Sequence, residues 1–421
     1  MAQPSHEAES GAATRVSGRV WLLALGMFAI GTDLFIVSGL LPAVGHDLSL
    51  STAEAGQTST VFAITYAVAA PILASLTSKV DRRVLLLAVL LVFAVGNALS
   101  GLAPTFAVLL VSRVITGAGA ALYAATASAV AAKITPVERR GRALAIVYAG
   151  MTSAIALGVP IGNEIGALAS WRWAFGFVTL LALITIAGLA GRLPSVPGMA
   201  GLTVGQRLAA IRIRRAPTAM LTTVLWIVGT FSLYTYLGTV LVNVTHTGAS
   251  SRTWLLLLFG AGSFAGVMIG GRLADRLDVR RGLAVTVGLL VLVLAMLTLA
   301  LHSLVGAAIG LLLWGLVHWL SFPLIQHRLL TIGGKNGDML LALNNSAVYV
   351  GQTVAAIVGG LFASAGLLGG LPLASAGFEV LALVALAFNA GFFMRGQAQK
   401  PAPTDQARRS SEDKPLREGT R

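Results

Sequence analysis

Four ionisable residues stand out inside long apolar runs: Asp33, Arg113, Glu164 and His318. An ionisable group in hydrocarbon costs about 2.5–3.5 kcal/mol on insertion scales, so it usually has a partner or faces a cavity. The chemistry open to such a set is reversible protonation. Burial favours the neutral form of a carboxyl such as Asp33, and a nearby guanidinium such as Arg113 favours the anion. A movement that parts the two would let Asp33 take up a proton on one side of a membrane and release it on the other. The competing account is a fixed ion pair that orders its helices. Glu164 reads either as a third acid of the set or as a partner for Arg172. Histidine titrates near neutral pH, so His318 in "LWGLVHWLSFPLIQ" reads as a proton site or as a hydrogen-bonded core residue.

The elements that must position these groups follow from composition. Of the 421 residues 56% are hydrophobic and 11% charged, against roughly 25% charged in soluble domains. Too few polar groups remain to coat a water-facing surface. Apolar runs fall at 20–45, 55–78, 84–103, 105–132, 143–168, 172–193, 217–243, 253–271, 282–301, 304–326, 339–367 and 372–394. Each suits the ~20 residues needed to cross a bilayer, and runs without strict alternation must cross as helices. The expected fold is therefore an all-α membrane protein of 12 transmembrane helices. Its direction follows from charge. Of 30 Lys and Arg, 27 lie in segments on one side, only Arg172 and Arg252 lie on the other, and Arg113 lies within a span. That split places both termini in the cytoplasm. It also explains the net charge of +14 by topology, with no nucleic-acid partner.

The chain divides into a cytoplasmic segment 1–18, spans 19–193, a basic linker 194–216, spans 217–396 and a polar tail 397–421 expected to be disordered. The linker stretch "VGQRLAAIRIRR" suits a short surface helix or a solvated tether. The first residues lack the pattern of a cleaved signal peptide. There is no cysteine, hence no disulfide or thiol chemistry. There is no GxxxxGK[ST] loop for ATP and no histidine cluster for a metal. No cofactor is expected, and ATP is not the expected energy source. At 1.5 Å per residue, Asp33 lies roughly 18 Å, Arg113 roughly 12 Å and Glu164 about 6 Å below the outer face. At those depths the three would cluster in the outer half of one bundle provided spans 1, 4 and 5 are neighbours.

Two loops repeat one pattern. "ASLTSKVDRR" follows the second span and "GRLADRLDVRR" the eighth, pairing Asp81 with Asp278 and Arg83 with Arg280. Together with "GTDLFIVSGLLP", "SRVITGAGAAL" and "SAIALGVPIGNEIG", they make residues 18–395 resemble the major facilitator superfamily. The likeness is greatest to its twelve-helix drug/proton antiporter branch, which exports chloramphenicol, sugars and purines. The resemblance implies two six-helix bundles and a small-molecule substrate exported in exchange for protons by alternating access. It also implies a multi-pass protein of the bacterial plasma or inner membrane, acting as a monomer and not as an enzyme. It assigns a conformational role to Asp81, Arg82, Arg83, Gly271, Asp275, Arg276 and Arg280 in the loops. The same role falls to Gly117 and Gly119 in span 4, and to Gly158, Pro160 and Gly162 in span 5. Two departures stand out. The latch acid of the first loop is replaced by Ser78, though the second copy keeps Asp275, and many relatives carry the span-1 acid at the position of Leu34, about 100° round the helix from Asp33.

A substrate cavity needs apolar walls with a few polar groups. The expected wall comprises Phe62, Tyr66, Tyr123, Tyr234, Tyr236, Trp314, Phe322, Asn344, Asn345, Tyr349 and Gln352. Its aromatics suit amphipathic or aromatic drugs, and its amides suit a specific metabolite such as a sugar or purine. Trp171, Trp173 and Trp254 are expected in the interfacial belt. The small residues of spans 4 and 5 also read simply as close-packing positions. A receptor, channel or integral enzyme would move nothing uphill, and an uptake symporter fits the span-5 motif less well.

Overall fold

A computed structural model describes residues 17–136, 139–198, 205, 210–213, 215–276 and 278–397. The expected tail and most of the linker helix lie outside these residues. Twelve helices have the length and apolarity to cross a membrane: α1 Gly18–Asp47, α2 Thr52–Leu76, α3 Arg82–Leu102, α4 Phe106–Lys133, α5 Arg140–Leu168, α6 Trp171–Arg192, α7 Ala216–Thr235, α8 Ala249–Ala274, α9 Val279–Ala300, α10 Leu304–Gly333, α11 Met339–Ser364 and α12 Leu368–Phe388. α7 breaks at Tyr236 and resumes as a short helix, Leu237–Asn243. α10 continues through residues 327–333, beyond the apolar stretch that ends at 326.

The helix starts are written locally. Ser51 and Glu54 form a reciprocal capping box on α2, while Thr105, Ser170 and Ser303 cap α4, α6 and α10 through their side chains. Such caps satisfy amides that lack intrahelical partners. Outward faces are apolar: Leu91, Val95, Leu99 and Leu102 of α3 are exposed, as a lipid-facing surface requires. Trp173 and Trp254 are also exposed, at 66% and 65%, but Trp171 is buried. Trp171 leaves the expected belt because its indole N–H donates to Asp47 Oδ2 (3.1 Å). Arg172 also pairs with Asp47, so it is not the partner of Glu164.

α1 packs on α5 and α6, α3 on α4 and α6, and α2 on α4; in the second half α7 packs on α11 and α12, α8 on α10, and α9 on α10 and α12. Two seams join the halves, α2 against α11 and α5 against α8, and the short helix Leu237–Asn243 also meets α1. α5 lies on α1 through glycines. A Cβ at Gly150 would sit 2.1 Å from Ala24 O, one at Gly158 2.0 Å from Thr32 Oγ1, and one at Gly162 1.9 Å from Ile36 Cδ1. Just before Pro160, residues Ala154–Gly158 widen into a π-helical turn in which Val159 N–H reaches Ala154 O. The wider turn is the local answer to a ring that lacks an N–H and crowds the preceding carbonyl.

Asp81 is a helix cap. Its Oδ1 accepts from Arg83 N (2.9 Å) and Val84 N (3.2 Å), and its Oδ2 accepts from Ser195 Oγ (2.6 Å). The Ser195 hydroxyl, helped by these amides, holds the carboxyl below its ordinary value. A depressed value means that the cap stabilises above the unfolded carboxylate range, near 3.9, and weakens as pH falls through the folded value. Asp81→Ala is expected to cost about 0.5–2 kcal/mol and to release the 195–197 segment. A lowered Tm, with faster amide exchange at Arg83 and Val84, would show it; unchanged exchange would rule it out.

Candidate functional site

Asp33 and Arg113 are buried together, 0% and 1% exposed, and Arg113 Nη1 donates to Asp33 Oδ1 at 2.7 Å. Asp33 Oδ2 and Arg113 Nε have no hydrogen-bond partner. The guanidinium lies over the Phe62 ring, 4.7 Å from its centroid, with Phe175 5.7 Å away. Two aromatic rings thus lie against the cation and attract it.

Arg113 also borders a cavity of about 20 Å³ between the two halves, with Leu34, Ser38, Phe62, Phe231, Tyr234 and Gln352 among its lining residues. That volume holds about one water. Leu34 faces this cavity and Asp33 faces α4. The acid of this chain therefore reaches the cavity only through Arg113. Two residues further round α1, Phe35 enters the second half and packs against Phe231, Tyr234 and Trp319 at 5.8–6.3 Å.

A second cavity of about 220 Å³ opens toward the cytoplasmic half, between α2, α4 and α11, lined by Tyr66, Pro71, Ala121, Asn345 and Ser346 among others. A ring pair divides the two spaces. Tyr66 and Tyr349 stack across the seam at 3.4 Å and 18°, one turn below Phe62 and Gln352. Outside the small cavity the halves meet tightly. A Cβ on Gly238 would lie 2.5 Å from Ser38 O, and one on Gly56 2.0 Å from Tyr236 Oη. Tyr236 in turn donates to Ala356 O at 3.0 Å. The outer side is closed, and the larger space lies on the basic, cytoplasmic side. Ser59 also lines the small cavity. Tyr349→Ala is expected to merge the two cavities and speed entry of a thiol reagent from the cytoplasmic side to a Ser59→Cys probe roughly tenfold; an unchanged rate would exclude the ring pair as the partition.

Residues 23–336 match the family model of the Major Facilitator Superfamily. The chain belongs to that superfamily. It is 33% identical over 344 residues to the MFS-type transporter YbcL of Bacillus subtilis, covering 82% of this chain and 88% of that one. It is 32% identical to the inner membrane transport protein YdhP of Escherichia coli, with the same coverage. It is 36% identical over 264 residues to a chloramphenicol resistance protein of Streptomyces lividans, covering 61% and 67% of the two chains. The human organic anion transporter MFSD10 shares the fold, with a TM-score of 0.65 at 18% identity over 91% of this chain and 100% of that one. The protein is a major facilitator transporter, a multi-pass protein of the bacterial inner membrane that handles small molecules.

Within this superfamily fold several expected site residues stand elsewhere. Glu164 does not join Asp33 and Arg113; it accepts from Thr253 Oγ1 (2.9 Å) and ties α5 to α8 near the outer ends. Tyr123 is turned into the first six helices, donating to Leu23 O (3.1 Å) and filling the space above Gly26. Trp314 is buried among Tyr234 and Phe259 and donates toward Thr230. Phe322 packs on Trp226 and Trp319. Both amide atoms of the buried Asn344 are unpartnered. Gly117 and Gly119 let α4 approach α2 and α3, where added Cβ atoms would meet Phe62 O and Val89 O at 2.9 Å. Arg82 and Arg83 bond carbonyls of their own half, Ser78 O and Ala190 O. Gly271 has open space beside it and Arg280 is exposed, while the side chains of Asp275 and Arg276 lie outside those described. One buried acid escaped the sequence reading: Glu379 of α12, wholly buried beside Gly229 and bonded by Thr230, the neighbour of His318.

Proposed function

We propose that this transporter exports small amphipathic or aromatic molecules in exchange for protons, with Asp33 and Arg113 as the coupling pair. The observation that carries this reading is the position of Arg113. It is the hydrogen-bond partner of a buried acid and at the same time part of the wall between the two six-helix halves. When the outer side opens, water and protons reach the pair. Asp33 accepts a proton and lets go of Arg113, and the outer side recloses around a neutral acid. Opening toward the cytoplasm reverses the step. The proton leaves Asp33, the ion pair reforms, and a substrate entering past Tyr66 and Tyr349 meets Phe62, Tyr234 and Gln352.

The relative that confers chloramphenicol resistance makes chloramphenicol the first probe. Transport of chloramphenicol, an aromatic cationic dye, a sugar and a nucleobase would be measured in proteoliposomes, with and without an imposed pH gradient. Uphill movement that collapses with the gradient supports proton exchange, and equal movement without it overturns the reading. Asn345 and Ser346 on the lower cavity favour a second reading, a narrow sugar or purine exporter. Selective movement of only that probe would establish it.

A further inference from the structure

Behind the aromatic wall of the upper cavity lies a second set of buried polar groups, all in the later six helices. Glu379 of α12 and His318 of α10 are each 0% exposed, and Thr230 of α7 lies between them at 1%. Thr230 Oγ1 is 2.8 Å from His318 Nδ1 and 3.5 Å from Glu379 Oε1, and Trp314 Nε1 donates to the same oxygen at 3.5 Å. Glu379 Oε2 and His318 Nε2 have no hydrogen-bond partner. Gly229 makes the room, since a Cβ there would sit 2.6 Å from Glu379 Oε1. Among the described residues Glu379 has no salt bridge; the two salt bridges found join Arg113 to Asp33 and Arg172 to Asp47.

The other ionisable groups on the packed elements are held elsewhere. Among the described residues they are Tyr234 on α7 and Tyr236 at its end, Asp278, Arg280 and Arg281 starting α9, His327 and Arg328 in the last turns of α10, Arg252 and Arg272 near the ends of α8, and Tyr349 on α11. On α1, Asp33 is taken by Arg113, and Arg19, His46 and Asp47 lie in its end turns. A carboxyl so enclosed and without a cation is far cheaper to bury with its proton than without it.

The bonding admits two donor orders through Thr230. Trp314 can only donate, and Thr230 has a single hydroxyl proton. One of His318 and Glu379 must therefore donate to Thr230 and the other accept from it. With Glu379 protonated on Oε1, its O–H donates to Thr230, and Thr230 donates to Nδ1; with the carboxylate, Thr230 donates to Oε1 and Nδ1–H donates to Thr230. If the carboxyl proton moves to Thr230 while the Thr230 proton moves to Nδ1, a carboxylate, an intact hydroxyl and an imidazolium result. Atoms and charge balance, and the second imidazole proton is left on Nε2. The His318 ring stacks on Trp226 (4.1 Å, 9°) and meets Phe231 edge-on (6.1 Å, 70°), and Phe231 lines the upper cavity.

We propose that Glu379, Thr230 and His318 form a second proton-binding site, separate from Asp33 and Arg113, that exchanges its proton with the central cavity through the histidine. Its use in transport rests on the proton-exchange reading above, but its binding of a proton is testable without any substrate. Infrared spectra of the purified full chain would be recorded in water and in D₂O for wild type, Asp33→Asn, Glu379→Gln and Thr230→Val. The expected result is a protonated-carboxyl stretch that persists in Asp33→Asn, vanishes in Glu379→Gln and shifts on transfer to D₂O. In Thr230→Val that shift should slow at least tenfold. A wild type lacking the band, a band that never exchanges, or exchange indifferent to Thr230→Val would overturn the proposal. If Glu379→Gln fails to fold, Asp33→Asn combined with Thr230→Val still decides it. Export that fails to follow a pH gradient would leave this result standing.

Discussion

Asp33→Asn is expected to abolish uphill export under an imposed pH gradient while leaving downhill movement of the same probe measurable. Asparagine keeps the size of the side chain and an oxygen for Arg113 Nη1, which now donates to Asp33 Oδ1 at 2.7 Å, but it cannot carry a proton. The lost function would therefore be coupling and not folding. Arg113→Leu should behave differently. Removing one member of a buried pair costs about 3–5 kcal/mol when the other stays charged. Asp33 would avoid that cost by keeping its proton, and a carboxyl that never releases a proton also stops exchange. Both variants should lose gradient-driven accumulation, yet only Arg113→Leu should strip the charge from the upper cavity and weaken binding of an anionic probe. Uphill export surviving in Asp33→Asn would sink the role assigned to this pair and move attention to Glu379.

The second large effect is conformational. Gly238 and Gly260 lie where the halves meet, and Cβ atoms there would stand 2.5 Å from Ser38 O and 2.4 Å from Ile155 O. Both obstacles are backbone atoms, which cannot turn aside as a side chain can. Overpacking of this kind typically costs about 1–3 kcal/mol, a population shift of roughly 5–150-fold. Gly238→Ala with Gly260→Ala should therefore drive the transporter out of the outer-closed arrangement. The chain has no cysteine, so a single Ser59→Cys beside the small cavity can report it. Reaction with a membrane-impermeant thiol reagent from outside should accelerate by at least fivefold. An unchanged rate would mean that the seam yields by other means.

The sequence made the scaffold legible because lipid imposes strong rules. Long apolar runs, short connections and a lopsided distribution of Lys and Arg reveal the spans and their direction without any knowledge of packing. The Asp33–Arg113 pair was visible in part, as opposite charges within the outer half of spans 1 and 4, roughly 18 and 12 Å below the outer face, while their adjacency was not. What could not be read was the rotation of each helix. Tyr123 and Trp314 have the chemistry of cavity walls, yet both turn into their own half, a choice made by neighbours such as Gly26 and Thr230. Glu164 finds Thr253, 89 residues away, and no local pattern announces that partner. Glu379 carried the same signal as Asp33, an acid in an apolar run. It follows the turn-like "GGLPLASAG" closely enough to resemble a residue at the interface.

The backbone-to-backbone closure of the outer seam also bears on the energy stored across the membrane. A gate made of side chains opens briefly whenever a rotamer hops, and each opening admits a thread of water along which protons run down their gradient. A carbonyl pressed against a glycine has no such alternative position. This seam can part only when whole helices move, so the carrier at rest should act as an electrical insulator. Cells can then hold many copies in the membrane without draining the potential on which the rest of their metabolism depends.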